Sequence, residues 1–132
     1  MRQAFLCAIL GASAGLSFAT GALAQDAAVG EKVFAIFRAC HQIGEGAKNA
    51  VGPVLNGVIG RKAGTYPGYS YSDANKNSGI TWDEATFTTY IMDPRAKVPG
   101  TKMIFVGIKD EQKIKDLIAF LKQYDADGKK VQ

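Results

Sequence analysis

The stretch Phe37-Arg38-Ala39-Cys40-His41 contains the only histidine of the chain and one of its two cysteines. The other cysteine, Cys7, lies in the apolar N-terminal segment. The pair Cys40-His41 follows directly after a predicted helix, so a thiol and an imidazole stand side by side where the helix ends. The remainder of the chain is interpreted outward from this pair.

Cys40-His41 forms the second half of the haem-attachment signature Cys-x-x-Cys-His. In that signature the thiols add to haem vinyl groups and the imidazole binds the iron. Phe37 stands where the first cysteine would be. The sequence therefore predicts a single thioether to haem, through Cys40, with the Phe37 ring packed near the unreacted vinyl group.

The first two dozen residues have the pattern of a secretory signal peptide. Arg2 gives a positive start, an apolar run with small residues follows, and Ala22-Leu23-Ala24 forms a cleavage site. We expect residues 1–24 to be removed and residues 25–132 to form one domain in the periplasm. An uncleaved membrane anchor is the alternative, but the apolar run is too short to span a bilayer.

Cleavage would remove Cys7 and leave Cys40 as the one cysteine, so no internal disulfide could form. A lone thiol in an oxidising compartment is a liability unless something occupies it, which also indicates that Cys40 is covalently capped. The net charge of +4 is modest and dispersed. It suits an acidic protein partner or an anionic cofactor, and it argues against nucleic-acid binding because no aromatic and basic stripe accompanies it.

Three main helices are predicted. Asp26 caps the first, over residues 27–39. The second opens at Thr81-Trp82-Asp83-Glu84, which has the form of a capping box with Thr81 as the N-cap, and it ends before Pro94. Asp110 caps the third, whose apolar stripe consists of Ile114, Leu117, Ile118 and Leu121.

Glycine and proline interrupt the chain between these helices. Residues 42–71 and 93–108 are predicted to be irregular, with a short helical turn near 72–77 and a frayed polar tail over 125–132. The fold class is therefore a small all-α domain with long loops. Since three moderate helices bury little surface, a large apolar cofactor would supply the missing core.

His41 is the first candidate metal ligand, and the Pro53 carbonyl is the candidate acceptor for its second ring nitrogen. Met103 is the second, within the hydrophobic stretch 99–105. A soft, neutral thioether opposite a histidine favours ferrous iron and indicates electron transfer rather than oxygen chemistry. Met92 is the alternative ligand, but it lies inside the second predicted helix.

Several further motifs match one known pattern in a single register over residues 26–124. They are Gly30 and Phe34, Cys40-His41, residues 52–61 (GPVLNGVIGR), 69–76 (YSYSDANK) and 79–82 (GITW), Tyr90, and residues 99–105 (PGTKMIF) and 117–121 (LIAFL). With these motifs the chain resembles the class I c-type cytochromes, that is, mitochondrial cytochrome c and its periplasmic bacterial relatives. Single-cysteine versions, with alanine or phenylalanine at the first position, occur in this family in the mitochondria of some protists.

The resemblance implies a small cytochrome c fold around one haem c per chain, with His41 and Met103 as axial ligands and Pro53 orienting His41. It implies that Gly30 and Phe34 meet Leu117 and Phe120 where the first and last helices cross. The other cofactor-binding residues that it implies are Cys40 for attachment, Arg61, Tyr71 and Trp82 around the propionates, Asn75, Tyr90 and Thr101 on the methionine side, and Phe105 over the haem edge.

The function implied by the resemblance is a soluble, monomeric single-haem electron carrier without catalytic residues, shuttling one electron between respiratory or photosynthetic membrane complexes. Its partners would be acidic redox proteins such as a cytochrome bc-type complex, an oxidase or a reaction centre, and it would meet the membrane only through them. A docking ring of cations would steer it, unless those cations are an ordinary solvated surface. The ring consists of Arg38, Lys48, Arg95, Lys97, Lys102 and Lys109.

Two other functions stay open at this point. A weak haem peroxidase would need a loosened Met103 bond, and the sequence supplies no second histidine as a distal acid. A haem-free relative acting as an interaction module would leave His41 and Met103 without a metal to bind.

Overall fold

The computed structural model describes Gly15 and residues 24–131, so the predicted signal peptide lies almost entirely outside the described residues. In this described part of the chain, five α-helices and one 3-10 turn follow in order: α1 (Ala27–Phe34), the turn Ala35–Phe37, α2 (Asp73–Lys76), α3 (Glu84–Met92), α4 (Pro94–Lys97) and α5 (Glu111–Leu121). Within the described ranges, extended pairing is confined to two isolated bridges, Lys62 with Thr81 and Tyr124 with Lys130. The predicted all-α class is confirmed, and no described helix is long and apolar enough to cross a membrane.

The start of α1 follows the prediction, but its end comes earlier. The Asp26 carboxylate accepts hydrogen bonds from the Ala28 and Val29 amides, which satisfies two donors of the first turn. The α-helix ends at Phe34 rather than at residue 39, and the chain tightens into the 3-10 turn. The Cys40 and His41 amides then both donate to the Phe37 carbonyl, at 3.0 and 2.9 Å. This turn carries the thiol and the imidazole away from the helix axis.

The predicted capping box at the start of α3 is wrong. The N-cap is Asp83, whose carboxylate accepts from the Thr86 amide at 2.7 Å. Hydrogen bonds from the backbone amide and the side chain of Thr86 hold the pKa of Asp83 below its usual value. Thr81 is instead extended, because it pairs with Lys62 in a β-bridge, and the Trp82 amide donates to the Arg61 carbonyl. That bridge ties the irregular loop before α2 to the start of α3.

Two segments predicted to lack structure are ordered. Residues Pro94–Lys97 form α4, which starts with proline and is capped by the Asp93 carboxylate. The tail after Tyr124 is not frayed, because the Val131 amide donates to the Gln123 carbonyl at 2.7 Å. Gly128, with a φ of 81°, fixes the intervening turn against the backbone of the long loop that follows α1.

The predicted crossing of the first and last helices is confirmed. A Cβ atom at Gly30 would collide with the Asp116 carbonyl and lie 2.9 Å from the Phe120 Cβ, so only glycine lets the two backbones approach this closely. Beside it the Phe34 and Phe120 rings pack with centroids 5.1 Å apart, and both are essentially fully buried. The buried Asp116 carboxylate accepts from the Asp26 amide at 2.9 Å and closes the same junction.

We expect Gly30→Ala to destabilise the protein, although alanine stabilises an open helix by about 1 kcal/mol relative to glycine. The added methyl group has to displace the backbone of α5, and overpacking of this kind costs about 1–3 kcal/mol. Denaturant unfolding measures the difference. Lys32→Ala, at an exposed position of the same helix, is the control and should stay within about 0.5 kcal/mol of the parent. A Gly30→Ala protein as stable as the parent would contradict the close crossing.

Candidate functional site

A cavity of about 400 Å³ opens between the turn after α1, the long loops, α3 and α5. Its volume lies within the range of about 300–1,000 Å³ typical of small-molecule and cofactor sites. The chain thus brings together side chains that lie more than sixty positions apart in sequence. All cofactor-binding residues named from the sequence line this cavity: Cys40, His41, Pro53, Arg61, Tyr71, Asn75, Trp82, Tyr90, Thr101, Met103 and Phe105.

His41 stands on one wall of the cavity and is 9% exposed. Its Nδ1 lies 2.7 Å from the Pro53 carbonyl oxygen, as the sequence predicted, and it donates there because a carbonyl can only accept. Nε2 is therefore left with its lone pair, the form in which an imidazole binds a metal. Burial lowers the pKa of His41; the Pro53 hydrogen bond opposes this, and the positive charge of Arg61 adds to it.

Gly52 sets the orientation of the His41 ring, a role that was not predicted from the sequence. A Cβ atom at this glycine would lie 2.7 Å from both ring nitrogens, so the imidazole packs directly on the glycine backbone. The Gly52 amide also donates to the Cys40 carbonyl at 2.7 Å. The Gly52-Pro53 pair thus holds the histidine by shape and by a hydrogen bond. The only signal in the sequence was the Gly-Pro pair itself.

Met103 lies on the wall of the same cavity, and hydrogen bonds support its side chain. The Tyr90 hydroxyl donates to the Met103 Sδ at 3.2 Å and lies 3.4 Å from the Thr101 Oγ1. The Met103 amide donates to the same Thr101 oxygen at 3.2 Å. Burial raises the pKa of the Tyr90 phenol, against the hydrogen bond with Thr101, and so keeps the phenol protonated as a donor.

Met92, the alternative ligand, faces elsewhere. Met92 is not among the described residues that line the cavity, and its half-buried side chain packs against the hydrophobic core. Its carbonyl accepts from the Lys109 ammonium, beside the tight approach of Gly107. The geometry therefore favours Met103 over Met92 as a partner for a group in the cavity.

Arg61 is the main cationic donor on the cavity wall. It donates to the Val54 and Asn56 carbonyls at 3.1 and 3.0 Å, and the Tyr66 ring stacks 5.1 Å from its guanidinium carbon. Burial lowers the pKa of Arg61, and the neighbouring Tyr71 and Tyr66 oppose that shift. An arginine held in this way keeps a fixed direction for its remaining N–H groups.

Tyr71, Trp82 and Asn75 add further polar atoms to a wall that is otherwise mostly apolar. The Tyr71 hydroxyl accepts from the Tyr66 amide at 3.1 Å, which leaves its own proton free to be donated into the cavity. The Oδ1 of Asn75 is buried and has no hydrogen-bond partner in the described part of the chain. An unpaired buried polar atom costs about 1–3 kcal/mol, so Asn75 indicates a bound group or an ordered water at this point.

Cys40 is half-buried with a free thiol on the cavity wall, next to His41. Phe37 is 6% exposed, lines the same cavity and packs its ring 4.9 Å from that of Phe105. The lining therefore fits a large flat apolar group that carries a metal and acidic substituents. It offers two soft or neutral metal ligands, one thiol for covalent attachment, aromatic faces and a cluster of fixed donors.

Comparison with known proteins agrees with this composition of the site. The family described as cytochrome c matches residues 27–125. Cytochrome c2 of Blastochloris viridis is 67% identical over 109 residues, covering 83% of this chain and 86% of the relative. Cytochrome c-550 of Bradyrhizobium diazoefficiens is 67% identical over 103 residues, covering 78% of this chain and 76% of the relative. Among solved structures, cytochrome cH from Methylobacterium extorquens is 54% identical with a TM-score of 0.69, covering 74% of this chain and 97% of that one.

Proposed function

The chain belongs to the cytochrome c family and is a haem electron carrier, and on this premise we propose that it passes single electrons between membrane redox complexes in the periplasm. The observation that carries the proposal is the convergence of His41 and Met103 on one cavity, each with its own hydrogen-bonding support. The domain would be residues 25–132 after removal of residues 1–24, acting as a monomer.

His41 Nε2 and Met103 Sδ would hold the metal within the cavity. When bound, the haem iron supplies the one-electron redox couple. The Pro53 carbonyl keeps the neutral His41 tautomer, and the Tyr90 hydroxyl fixes the sulfur of the Met103 side chain. A neutral sulfur ligand favours the ferrous state and raises the potential. Because two protein side chains would serve as metal ligands, no substrate need bind the metal.

The fixed donors would hold the acidic substituents of the cofactor. A buried carboxylate is costly without hydrogen bonds, and Arg61, Tyr71 and Trp82 offer a guanidinium, a phenol and an indole N–H on the cavity wall. Asn75 and Thr101 would complete the network on the methionine side. Phe105 would cover the cofactor edge, and Cys40 would form the single thioether.

The outer surface supports docking to acidic partners. Ile36, Val51 and Ile104 line the cavity yet are 58%, 73% and 89% exposed, so an apolar patch lies at its mouth. Lys102 lines the same mouth, and its ammonium donates to the Ser70 carbonyl at 2.6 Å. An apolar patch with Lys102 beside it would let a partner approach the cofactor edge while opposite charges steer the encounter. The proposed ring consists of Arg38, Lys48, Arg95, Lys97, Lys102 and Lys109, all of them exposed.

The haem-free alternative is not favoured, given relatives at 67% identity that are cytochromes by name and a cavity that retains every predicted ligand and donor. The peroxidase alternative finds no further support, because the single histidine of the chain is engaged with Pro53.

We expect Met103→Ala to open one coordination position of the iron. Imidazole or cyanide should then bind the ferric protein at least about tenfold faster, and the midpoint potential should fall because the sulfur ligand is lost. Stopped-flow absorbance and a redox titration measure the two effects. Met92→Ala is the matched control and should change neither. The same response in both variants would remove Met103 from its proposed role.

Cys40→Ser should abolish covalent attachment, so that acidified organic solvent extracts the haem from the variant but not from the parent. In alkaline pyridine, the reduced α-band of the parent should lie between the positions for two thioethers and for none. Phe37→Cys, which completes the attachment signature, should move that band to the two-thioether position. Haem that resists extraction from Cys40→Ser would disprove attachment through this thiol.

The rate of electron transfer to membranes that contain acidic redox complexes should fall as ionic strength rises, since salt screens the cationic ring. Substituting Lys97 with glutamate should reduce the rate at low salt and flatten the salt dependence. Lys130→Glu makes the same change of charge at an exposed position outside the proposed ring. A salt-independent parent, or equal effects of the two variants, would exclude this docking surface.

A further inference from the structure

The segment that carries Met103 is held in place mainly by side chains. Residues 102–107 adopt no regular secondary structure. The nearest backbone hydrogen bonds are those of the Thr101 amide to the Val98 carbonyl and of the Ile108 amide to the Ile91 carbonyl. Between them, the Met103 amide reaches only the side chain of Thr101. Side-chain contacts therefore decide how firmly this segment stays closed over the cavity.

Phe105 is the apolar anchor of this segment. Its neighbours Ile104 and Val106 are 89% and 88% exposed, whereas Phe105 is partly buried and packs against the hydrophobic core. The ring that it meets belongs to Phe37, at a centroid distance of 4.9 Å and an interplanar angle of 57°. Both values fit the tilted geometry that aromatic pairs prefer.

Phe37 is itself fixed to the helix crossing. Its ring lies 6.2 Å from that of Phe34, which in turn packs 5.1 Å from Phe120. The backbone of Phe37 acts on the other side of the site, because its carbonyl accepts the Cys40 and His41 amides. One residue thus contacts the turn that carries His41 and, through Phe105, the segment that carries Met103.

We propose that Phe37 is a positioning residue whose ring clasps the Met103 segment through Phe105. The position that holds the first cysteine of the attachment signature would then serve packing within the protein instead of attachment. The clasp would slow the movement of residues 102–107 away from the cavity, and so the departure of Met103 from the metal. The effect on the bond between Met103 and the metal rests on the proposed function, whereas the contact between Phe37 and Phe105 does not.

A double-mutant cycle with Phe37→Leu, Phe105→Leu and the double variant tests the clasp in the intact haem protein. Native-state hydrogen exchange is followed at the Thr101, Met103 and Ile108 amides, which lie on both sides of Phe105 and are hydrogen-bonded. Each single variant should speed their exchange about three- to tenfold, the range expected for losing one aromatic pair. The double variant should be no faster than the faster single variant.

Phe34→Leu is the control, because it removes a ring of the same aromatic series that is buried at least as deeply as Phe37 and is not paired with Phe105. It should speed exchange in α5 as much as at residues 101–108, whereas the Phe37 and Phe105 variants should act selectively. Phe105 is only partly buried, so Phe105→Leu gives a folded protein even where Phe37→Leu does not. Additive effects in the cycle, or exchange unchanged in Phe105→Leu, would overturn the clasp.

Imidazole binding to the ferric protein separates the clasp from the ligand assignment. Faster imidazole binding in the two single variants, in step with faster exchange, is the expected result. Faster exchange with unchanged imidazole binding would support the clasp and reject Met103 as the ligand. Unchanged exchange, together with the expected response of Met103→Ala, would reject the clasp and leave the proposed function standing.

Discussion

The close contact between α1 and α5 at Gly30 is the constraint on which the remaining structure depends. Because Gly30 has no Cβ, the two helix backbones can touch there, and the Phe34 and Phe120 rings fill the space beside them. The helix α1 ends soon after that contact, at Phe34. The turn closed by the Phe37 carbonyl then directs the thiol and the imidazole into the cavity. A shift between the helices would therefore be transmitted directly to His41.

Most polar groups on the cavity wall have a fixed hydrogen-bonding or stacking partner within the protein, and these partners set the electrostatics of the cavity. Burial alone would make a histidine and an arginine costly in this wall. The Pro53 carbonyl accepts a hydrogen bond from the one N–H of the neutral His41 ring, and two carbonyls and a tyrosine ring hold Arg61. With these partners the His41 ring and the Arg61 guanidinium have fixed orientations, and neither is free to act as a mobile acid or base. A site with that property suits electron transfer better than a reaction that needs a mobile acid or base.

The sequence predicted the parts of the structure that depend on local chemistry or on a motif. The caps at Asp26 and Asp110, the crossing at Gly30 and the acceptor role of Pro53 all fall in this class. The errors lie where tertiary contacts override a local pattern. Thr81 looked like an N-cap, but pairing with Lys62 holds it extended and leaves Asp83 to cap α3.

The ordered C-terminal tail is a second case in which tertiary contact decides. Its composition is polar, as in a frayed end, but the hydrogen bond from Val131 to Gln123 and the packing of Gly128 against the loop after α1 fix it. The shape role of Gly52 was equally hidden, because a glycine that packs against a ring looks in sequence like a glycine in a turn. Such roles depend on a partner far away in the chain, and a local pattern carries no record of that partner.

Phe37 occupies the position of the first cysteine of the attachment signature, so an aromatic ring stands where a thioether bond to the cofactor would otherwise form. A thioether retains a cofactor through every opening of the protein, whereas an aromatic contact adds only about 0.5–1.5 kcal/mol beyond burial. That amount shifts a local equilibrium by at most about tenfold, so it can hold a segment but cannot retain a group. Under the proposed attachment, retention would fall to Cys40 alone, whereas the Phe37 ring packs against Phe105 in the segment that carries Met103. Attachment and positioning, which two cysteines would provide together, would thereby be divided between one thiol and one aromatic pair.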